Sequence, residues 1–276
     1  MKKTLNIAGK LLDLSVPKVM GILNATPDSF YADSRVPFVE TAYKKAELML
    51  NEGATFLDIG GYSTRPGADK VPESEEIERV LPIIEMITKN FPEAIISIDT
   101  FRSKVAREAV KAGAKIINDV SGGNIDPQMF QTVAELNVPC IMMHSRGDEE
   151  NLTNKTDYQN VTTEVILELQ AKMVKLYQLG VKDIVIDPGF GFSKSMVQNY
   201  ELLNNLEALA VLDVPILTGL SRKSMIWRYL DISANEALNG TTVLNTIVIQ
   251  KGSSILRVHD VKAAVEIVKL TEKLKM

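Results

Sequence analysis

The sequence predicts an α/β protein, a (β/α)8 barrel preceded by an N-terminal β-hairpin. Three observations carry that prediction: eight short apolar runs recur along the 276 residues, amphipathic segments separate them, and glycines close several of those segments. Short runs of β-branched and apolar residues without alternation suit strands buried on both faces of a parallel sheet. An open doubly wound sheet is the competing arrangement, but it uses fewer units and carries a glycine fingerprint after its first strand. Here the first run leads into Asn24-Ala25-Thr26-Pro27-Asp28, which lacks those glycines.

Taken in order, the segment Thr4–Leu14 alternates around Ala8-Gly9-Lys10 and is expected to form the hairpin, covering the barrel floor. The barrel runs are Val19–Asn24, Phe56–Gly61, Ile95–Thr100, Ile116–Val120, Cys140–His144, Ile184–Pro188, Ile216–Leu220 and Ile255–His259. Phe38, Ala42, Ala46, Met49 and Leu50 share one face of the first intervening helix; Val261, Ala264, Val265 and Val268 share one face of the last. Gly53, Gly113, Gly180 and Gly252 stand where helices stop in a left-handed residue. No linker, repeat or low-complexity tract divides the chain, so residues 1–276 are expected to form a single domain.

Composition narrows the function classes. With 45% apolar residues the chain can bury a sizeable core, and 24% charged residues with a mean hydropathy of +0.02 are ordinary for a globular protein. Thirty-one basic against 35 acidic residues give a net charge of −4, which argues against bulk electrostatic attachment to nucleic acid or anionic lipid. Cys140 is the single cysteine and suits a reducing, cytoplasmic setting. Asn6, Gly9, Lys10 and Asp13 interrupt any secretory core near the start, and no apolar stretch is long enough to span a bilayer.

Barrels of this kind place their chemistry at the C-terminal ends of the strands. There the sequence puts Asn24, Gly60-Gly61, Asp99-Thr100, Asn118-Asp119, Met143-His144, Asp187-Pro188, Gly219-Leu220, and Arg257 with His259. Polar groups buried without partners would cost several kcal/mol each, roughly, so a polar ligand or mutual pairing is expected. A strand-end carboxylate such as Asp99 also suits a helix cap, and Asn118 suits a bond to nearby backbone. Asp187 is followed by Pro188-Gly189-Phe190-Gly191-Phe192, with no immediate helix to cap. Phe30, Phe192 and Met143 also suit plain core or loop packing. Two histidines without His-Glu-x-x-His spacing are too few for a zinc hydrolase, and nucleotide-binding glycine motifs are absent.

Arg222, Lys223, Arg257 and His259 follow the last two strands, where this fold commonly holds phosphate. Ser221 is expected to open a helix whose N-terminus favours anions. The loop Ser63-Thr64-Arg65-Pro66-Gly67 adds a further arginine at the same end. The site should therefore take a phosphorylated or diphosphorylated molecule, with deeper carboxylate and amide groups reading the edge of a heterocycle.

The residues then resemble one family throughout. Met20-Gly21-Ile22-Leu23-Asn24-Ala25-Thr26-Pro27-Asp28-Ser29-Phe30 and Asp58-Ile59-Gly60-Gly61-Tyr62-Ser63-Thr64-Arg65-Pro66-Gly67 are similar to the two signatures of dihydropteroate synthases. Ile98-Asp99-Thr100, Asn118-Asp119-Val120-Ser121-Gly122-Gly123, Asp187-Pro188-Gly189-Phe190-Gly191-Phe192, Ser221-Arg222-Lys223-Ser224 and Arg257-Val258-His259-Asp260 follow in the family's order. The resemblance implies a TIM-barrel transferase of folate synthesis. In that reaction 4-aminobenzoate attacks the methylene carbon of 6-hydroxymethyl-7,8-dihydropterin diphosphate, Mg2+ being required.

Residue by residue, the resemblance implies that Asp99, Asn118, Asp187 and Lys223 bind the pterin, with Met143, Phe192 and Gly219 lining its slot. Asn24, Thr64, Arg65, Arg257 and His259 would serve the diphosphate, Asn24 also contacting magnesium. Phe30, Pro66, Ser221 and Lys223 would form the aminobenzoate pocket, and Asp99, Lys223 and Arg65 would be catalytic. A homodimer and a sulfonamide target are implied as well. The chain departs from the family at Ala25, at Tyr31-Ala32-Asp33-Ser34-Arg35 and at Ser145-Arg146-Gly147-Asp148. A corrinoid-linked pterin methyltransferase and a silent pterin-binding paralogue remain as alternatives. The first needs neither Ser63–Gly67 nor Ser221–Ser224, and the second needs no diphosphate groups.

Overall fold

Successive strand residues point to opposite faces, so each barrel strand must satisfy the helix layer outside and the axis inside. The structure, a computed structural model, describes residues 2–25, 35–62, 70–147 and 155–274. Strands β1 (Thr4–Ile7) and β2 (Lys10–Asp13) pair antiparallel through a turn at Ala8-Gly9, forming the expected hairpin. The barrel strands are β3 (Lys18–Asn24), β4 (Phe56–Gly60), β5 (Ile95–Asp99) and β6 (Ile116–Asp119). They continue as β7 (Cys140–Met143), β8 (Ile184–Asp187), β9 (Leu217–Thr218) and β10 (Ile255–Val258). Every expected run holds a strand, the shortest being β9.

All eight pair in parallel in the order β8-β7-β6-β5-β4-β3-β10-β9. The remaining gap is spanned by a parallel bridge between Ile186 and Ile216, and Ile186 N donates to Pro215 O at 3.0 Å. The sheet thus curls into a nearly closed barrel. Helices α1 (Arg35–Asn51), α2 (Glu73–Asn90), α3 (Ser103–Ala112), α4 (Met129–Leu136) and α5 (Val161–Gln178) lie between successive strands. So do α6 (Met196–Asn204), α7 (Ser224–Trp227) and α8 (Leu238–Gln250), while α9 (Val261–Lys273) ends the fold.

The outward strand residues, among them Leu57, Ile59, Ile98, Met142 and Ile186, join Ala42, Ala46, Leu169, Val248 and Ala264 of the helices in one core. The predicted faces of α1 and α9 are the buried ones. All four helix-closing glycines have positive φ, and at Gly113 a Cβ would also come within 2.3 Å of Thr88 Oγ1.

The inward residues at the N-terminal end are Met20, Phe56, Ile116, Ile141, Val185, Leu217 and Ile255. With Leu5, Ile7 and Leu14 they make a separate apolar cluster, so the hairpin seals the barrel floor as expected. Phe56 is fully buried there. Phe56→Ala should lower stability by about 3–5 kcal/mol, the cost of an unfilled aromatic site, read as an earlier urea-unfolding transition. A shift below about 1 kcal/mol would mean that the floor collapses freely around the gap.

Candidate active site

Above the floor the same inward positions turn polar: Asp58, Ser97, Asp99, Asn118, Asp187 and Arg257. Strand register sets their order around the mouth. Asn24 lies opposite Gly60, Gly60 opposite Asp99, Asp99 opposite Asn118, and Met143 opposite Asp187. At Gly60 a Cβ would stand 3.3 Å from the Cβ of Asp99, so glycine gives that carboxylate its room.

One guanidinium joins two carboxylates in this layer. Arg257 Nε donates to Asp58 Oδ2 at 2.6 Å and its Nη2 to Asp99 Oδ2 at 2.5 Å, while Asn118 Nδ2 donates to Asp58 Oδ2 at 3.0 Å. Burial pushes the Asp99 carboxyl up to about 7; Arg257 pulls it down and Asp58 pushes it further up. Asp58 Oδ1 and Ser97 Oγ are buried without a hydrogen-bond partner among the described residues, although their Cα atoms pair across β4 and β5.

The second carboxylate group lies across the mouth. Asp187 is buried, which raises its pKa, while Lys223 is the strongest opposing influence. Its Oδ1 accepts from Gly189 N at 2.7 Å, a local turn bond rather than a helix cap, as α6 starts at Met196. Lys223 lays its stem against Gly191, donates from Nζ to Phe190 O, and places Nζ 4.8 Å from the Phe192 ring centroid. Burial lowers its pKa to about 8, with Asp187 acting the other way. An apolar wall completes the cup: Phe101, Val120 and Met143 cluster with Tyr62, Ile125 and Phe192, and Tyr62 meets Phe101 edge-on at 5.1 Å.

A cup with carboxylates, an amide, an ammonium and an apolar wall suits a flat, donor-rich heterocycle. Comparison with known proteins agrees. The family model described as pterin binding enzyme matches residues 20–259. A dihydropteroate synthase of Haemophilus influenzae is 41% identical over 263 residues, covering 95% of each chain. The chain belongs to the dihydropteroate synthase family. The structure of the Xanthomonas albilineans dihydropteroate synthase with 4-aminobenzoic acid is similar at a TM-score of 0.92 and 38% identity, covering 100% of this chain and 99% of that one. The same organism's enzyme in complex with 7,8-dihydropteroate is similar at a TM-score of 0.88 and 36% identity, covering 99% and 98%.

Set against what the family resemblance implies, Asp99, Asn118, Met143, Asp187, Phe192, Gly219 and Lys223 all stand at the C-terminal mouth. Arg257 and His259 make separate contacts. The guanidinium turns inward because the buried carboxylates need a counterion, whereas His259 Nδ1 lies 3.0 Å from Ser221 Oγ at the rim. The helix expected to open at Ser221 begins three residues later, at Ser224, and is only four residues long. Ser221 sits in the turn before it, where Arg222 takes a φ of 55° and forms a two-point pair with Asp260 at 2.9 and 2.7 Å. Phe30, Thr64, Arg65 and Pro66 lie outside the described residues.

Sequence reasoning missed Asp58, which stands in mid-strand rather than at a strand end. Its signal was a carboxylate inside an otherwise apolar run. It also missed Phe101 and Val120, which follow the strand-end carboxylates Asp99 and Asp119 by two residues and one, and Lys194, considered below. Replacing Asp58 by asparagine removes a like charge beside Asp99. The Asp99 titration, followed by carboxyl carbon NMR, should then move to lower pH, leaving it ionised further into the acid range. An unmoved or higher midpoint would show that Asp58 does not act on Asp99 electrostatically.

Proposed function

We propose that the chain joins 4-aminobenzoate to the methylene carbon of 6-hydroxymethyl-7,8-dihydropterin diphosphate, releasing diphosphate and forming 7,8-dihydropteroate for folate synthesis. The observation that carries this reading is the convergence of Asp187, Asn118, Lys223 and the Met143–Phe192 wall at one barrel mouth, in a chain of this family. The Asp187 carboxylate can accept two parallel hydrogen bonds from an amino-pyrimidinone edge. Asn118 and Lys223 add polar contacts beside it, and Met143, Phe192 and Gly219 leave a flat slot. Pterin recognition thus falls to one side of the cup.

The bond-making side follows from charge. The methylene C–O bond breaks, the electron pair leaves with diphosphate, and the amine nitrogen forms the new C–N bond and sheds a proton. An ionised Asp99 opposite the cleaved bond stabilises the positive charge that develops on the pterin side. Asn24, Thr64, Arg65, Arg257 and His259 serve the diphosphate in this reading. Phe30, Pro66, Ser221 and Lys223 serve the aminobenzoate, where a sulfonamide would compete, and Arg65 and Lys223 join Asp99 as catalytic residues.

Magnesium fits the residues present. Asn24 offers a hard amide oxygen at the mouth, opposite Gly60, and Mg2+ retains waters and phosphate oxygens rather than needing a protein cage. When bound, it supplies charge neutralisation at the leaving oxygens. The same reading takes the chain as a single domain over residues 1–276, working as a cytoplasmic homodimer; the family resemblance supports these points, and light scattering tests the dimer.

The direct test is diphosphate release with and without 4-aminobenzoate. Release that depends on the amine is expected; release indifferent to it, or requiring a corrinoid protein, would defeat the reading. Asp187→Ala should abolish measurable pterin binding by calorimetry while leaving the circular dichroism spectrum intact, and retained binding would take Asp187 out of the site. Asp99→Asn should lower kcat on the order of 100-fold, the scale on which one pre-organised electrostatic partner acts. Turnover near that of the parent would end the proposed shielding role.

A further inference from the structure

Behind the pterin side of the cup lies a buried lysine that nothing above uses. Lys194 precedes the capping box of α6, formed by Ser195 and Gln198, and only 6% of it is exposed. Its Nζ reaches His144 Nδ1 at 3.0 Å, Gly189 O at 3.1 Å and Phe192 O at 3.1 Å. An ammonium has three N–H donors and no acceptor, so these three acceptors account for the whole group. Two of them belong to the loop 188–193, whose other face touches Lys223 through Phe190 O and the Phe192 ring.

The chain of contacts continues outward. Burial holds the His144 pKa down to about 4, so the ring is neutral, and Nδ1 accepting from Lys194 leaves the hydrogen on Nε2. That atom lies 3.0 Å from Glu168 Oε2 on α5, and Arg146 Nε donates to the other oxygen of Glu168 at 2.9 Å. The loop presses close to His144: a Cβ on Gly189 would stand 2.0 Å from His144 O, and its φ is +71°. Asn199 and Ser193 hold the loop elsewhere, Asn199 Oδ1 accepting from Gly191 N at 2.7 Å and Ser193 Oγ from Arg146 N at 2.9 Å.

We propose that Lys194 is a positioning residue for pterin binding: it ties the carbonyls of Gly189 and Phe192 to His144, and so fixes the loop that presents Asp187, Phe192 and the Lys223 contact to the ring. The inference rests on the assignment of Asp187 and Lys223 to the pterin pocket and deepens it. Lys194 itself touches no substrate. Ser221 belongs to another loop and Lys223, which serves both substrates, touches this one, so the larger effect falls on the pterin diphosphate.

Steady-state kinetics of Lys194→Met, which keeps the length and removes the donors, should show the KM for the pterin diphosphate raised about tenfold, equivalent to about 1.4 kcal/mol. The kcat and the KM for 4-aminobenzoate should stay within about twofold, since uniform binding is what is lost. His144→Phe removes one of the three acceptors and should raise the same KM by a smaller factor. A pterin KM unchanged in Lys194→Met, even with a lower melting temperature, would reduce the lysine to a fold-stabilising role and overturn the proposal. So would equal rises for both substrates, or a His144→Phe variant indistinguishable from the parent.

Should Lys194→Met fail to fold, imidazole nitrogen NMR of the unaltered protein decides. The chain has two histidines, and His144→Phe assigns them. Saturation with the pterin diphosphate should shift the His144 Nδ1 resonance; an unmoved resonance would overturn the proposal. If the unaltered protein does not bind the pterin diphosphate at all, the pocket assignment itself falls, an outcome distinct from the others.

Discussion

A guanidinium shared by two carboxylates inside a nearly closed sheet is the interaction on which the mouth of this barrel depends. Asp58 and Asp99 project from neighbouring strands toward the same axis, where water has little room and their charges repel. Unpaired, each would cost several kcal/mol, roughly, or would take up a proton. Arg257 comes from the last strand, 199 and 158 positions away in sequence, and satisfies both. Asn118 adds a further bond to Asp58. The pairing therefore ties the last barrel strand to the second and third at the level where the polar groups gather, above a floor of mainly apolar contacts.

Desolvation of these carboxylates shapes what the cup accepts. Among the described residues, Asp58 and Asp99 share Arg257, while Asp187 has Lys223 and, behind the loop, Lys194 as cationic neighbours. Burial raises the pKa of Asp99 and of Asp187, so each gains from a donor that favours its charged form. A guest presenting several N–H donors offsets that desolvation; an anionic ring would add to it. The apolar wall of Phe101, Val120, Met143 and Phe192 selects a flat guest, and the carboxylates select the edge it presents. The electrostatics thus favour a donor-rich ring edge over an anionic group in this part of the cup.

Much of this was legible in the sequence because the barrel converts chain position into spatial position. A polar residue ending a buried strand has one place to go, so Asp99, Asn118, Asp187 and Arg257 could be brought to one mouth from their spacing. The hairpin was legible for the same reason: an alternating segment ahead of the first strand has only the open floor to cover. Partners were not legible. Nothing local links Arg257 to Asp58, and a strand-end rule overlooks a carboxylate two residues earlier. The turn at Ser221 departed from expectation because Arg222 adopts a left-handed conformation to reach Asp260, which delays the helix. Lys194 was not legible either, since its acceptors are a loop's carbonyls and a distant histidine.

Two lysines then explain why a loop without strand partners can form one wall of a binding cup. Carbonyl groups in residues 188–193 have no ladder to join and would be costly to bury unpaired. Lys223 serves Phe190 O from the cup side, and Lys194 serves Gly189 O and Phe192 O from behind. Burial lowers the pKa of both, to about 8 and about 7, while Asp187 raises both. The carboxylate proposed to read the ring is thus also a charge that favours the protonated form of both lysines. Deleting Asp187 would remove a ligand contact and at the same time loosen the donors that shape the loop, so recognition and architecture on this side of the barrel share one charge.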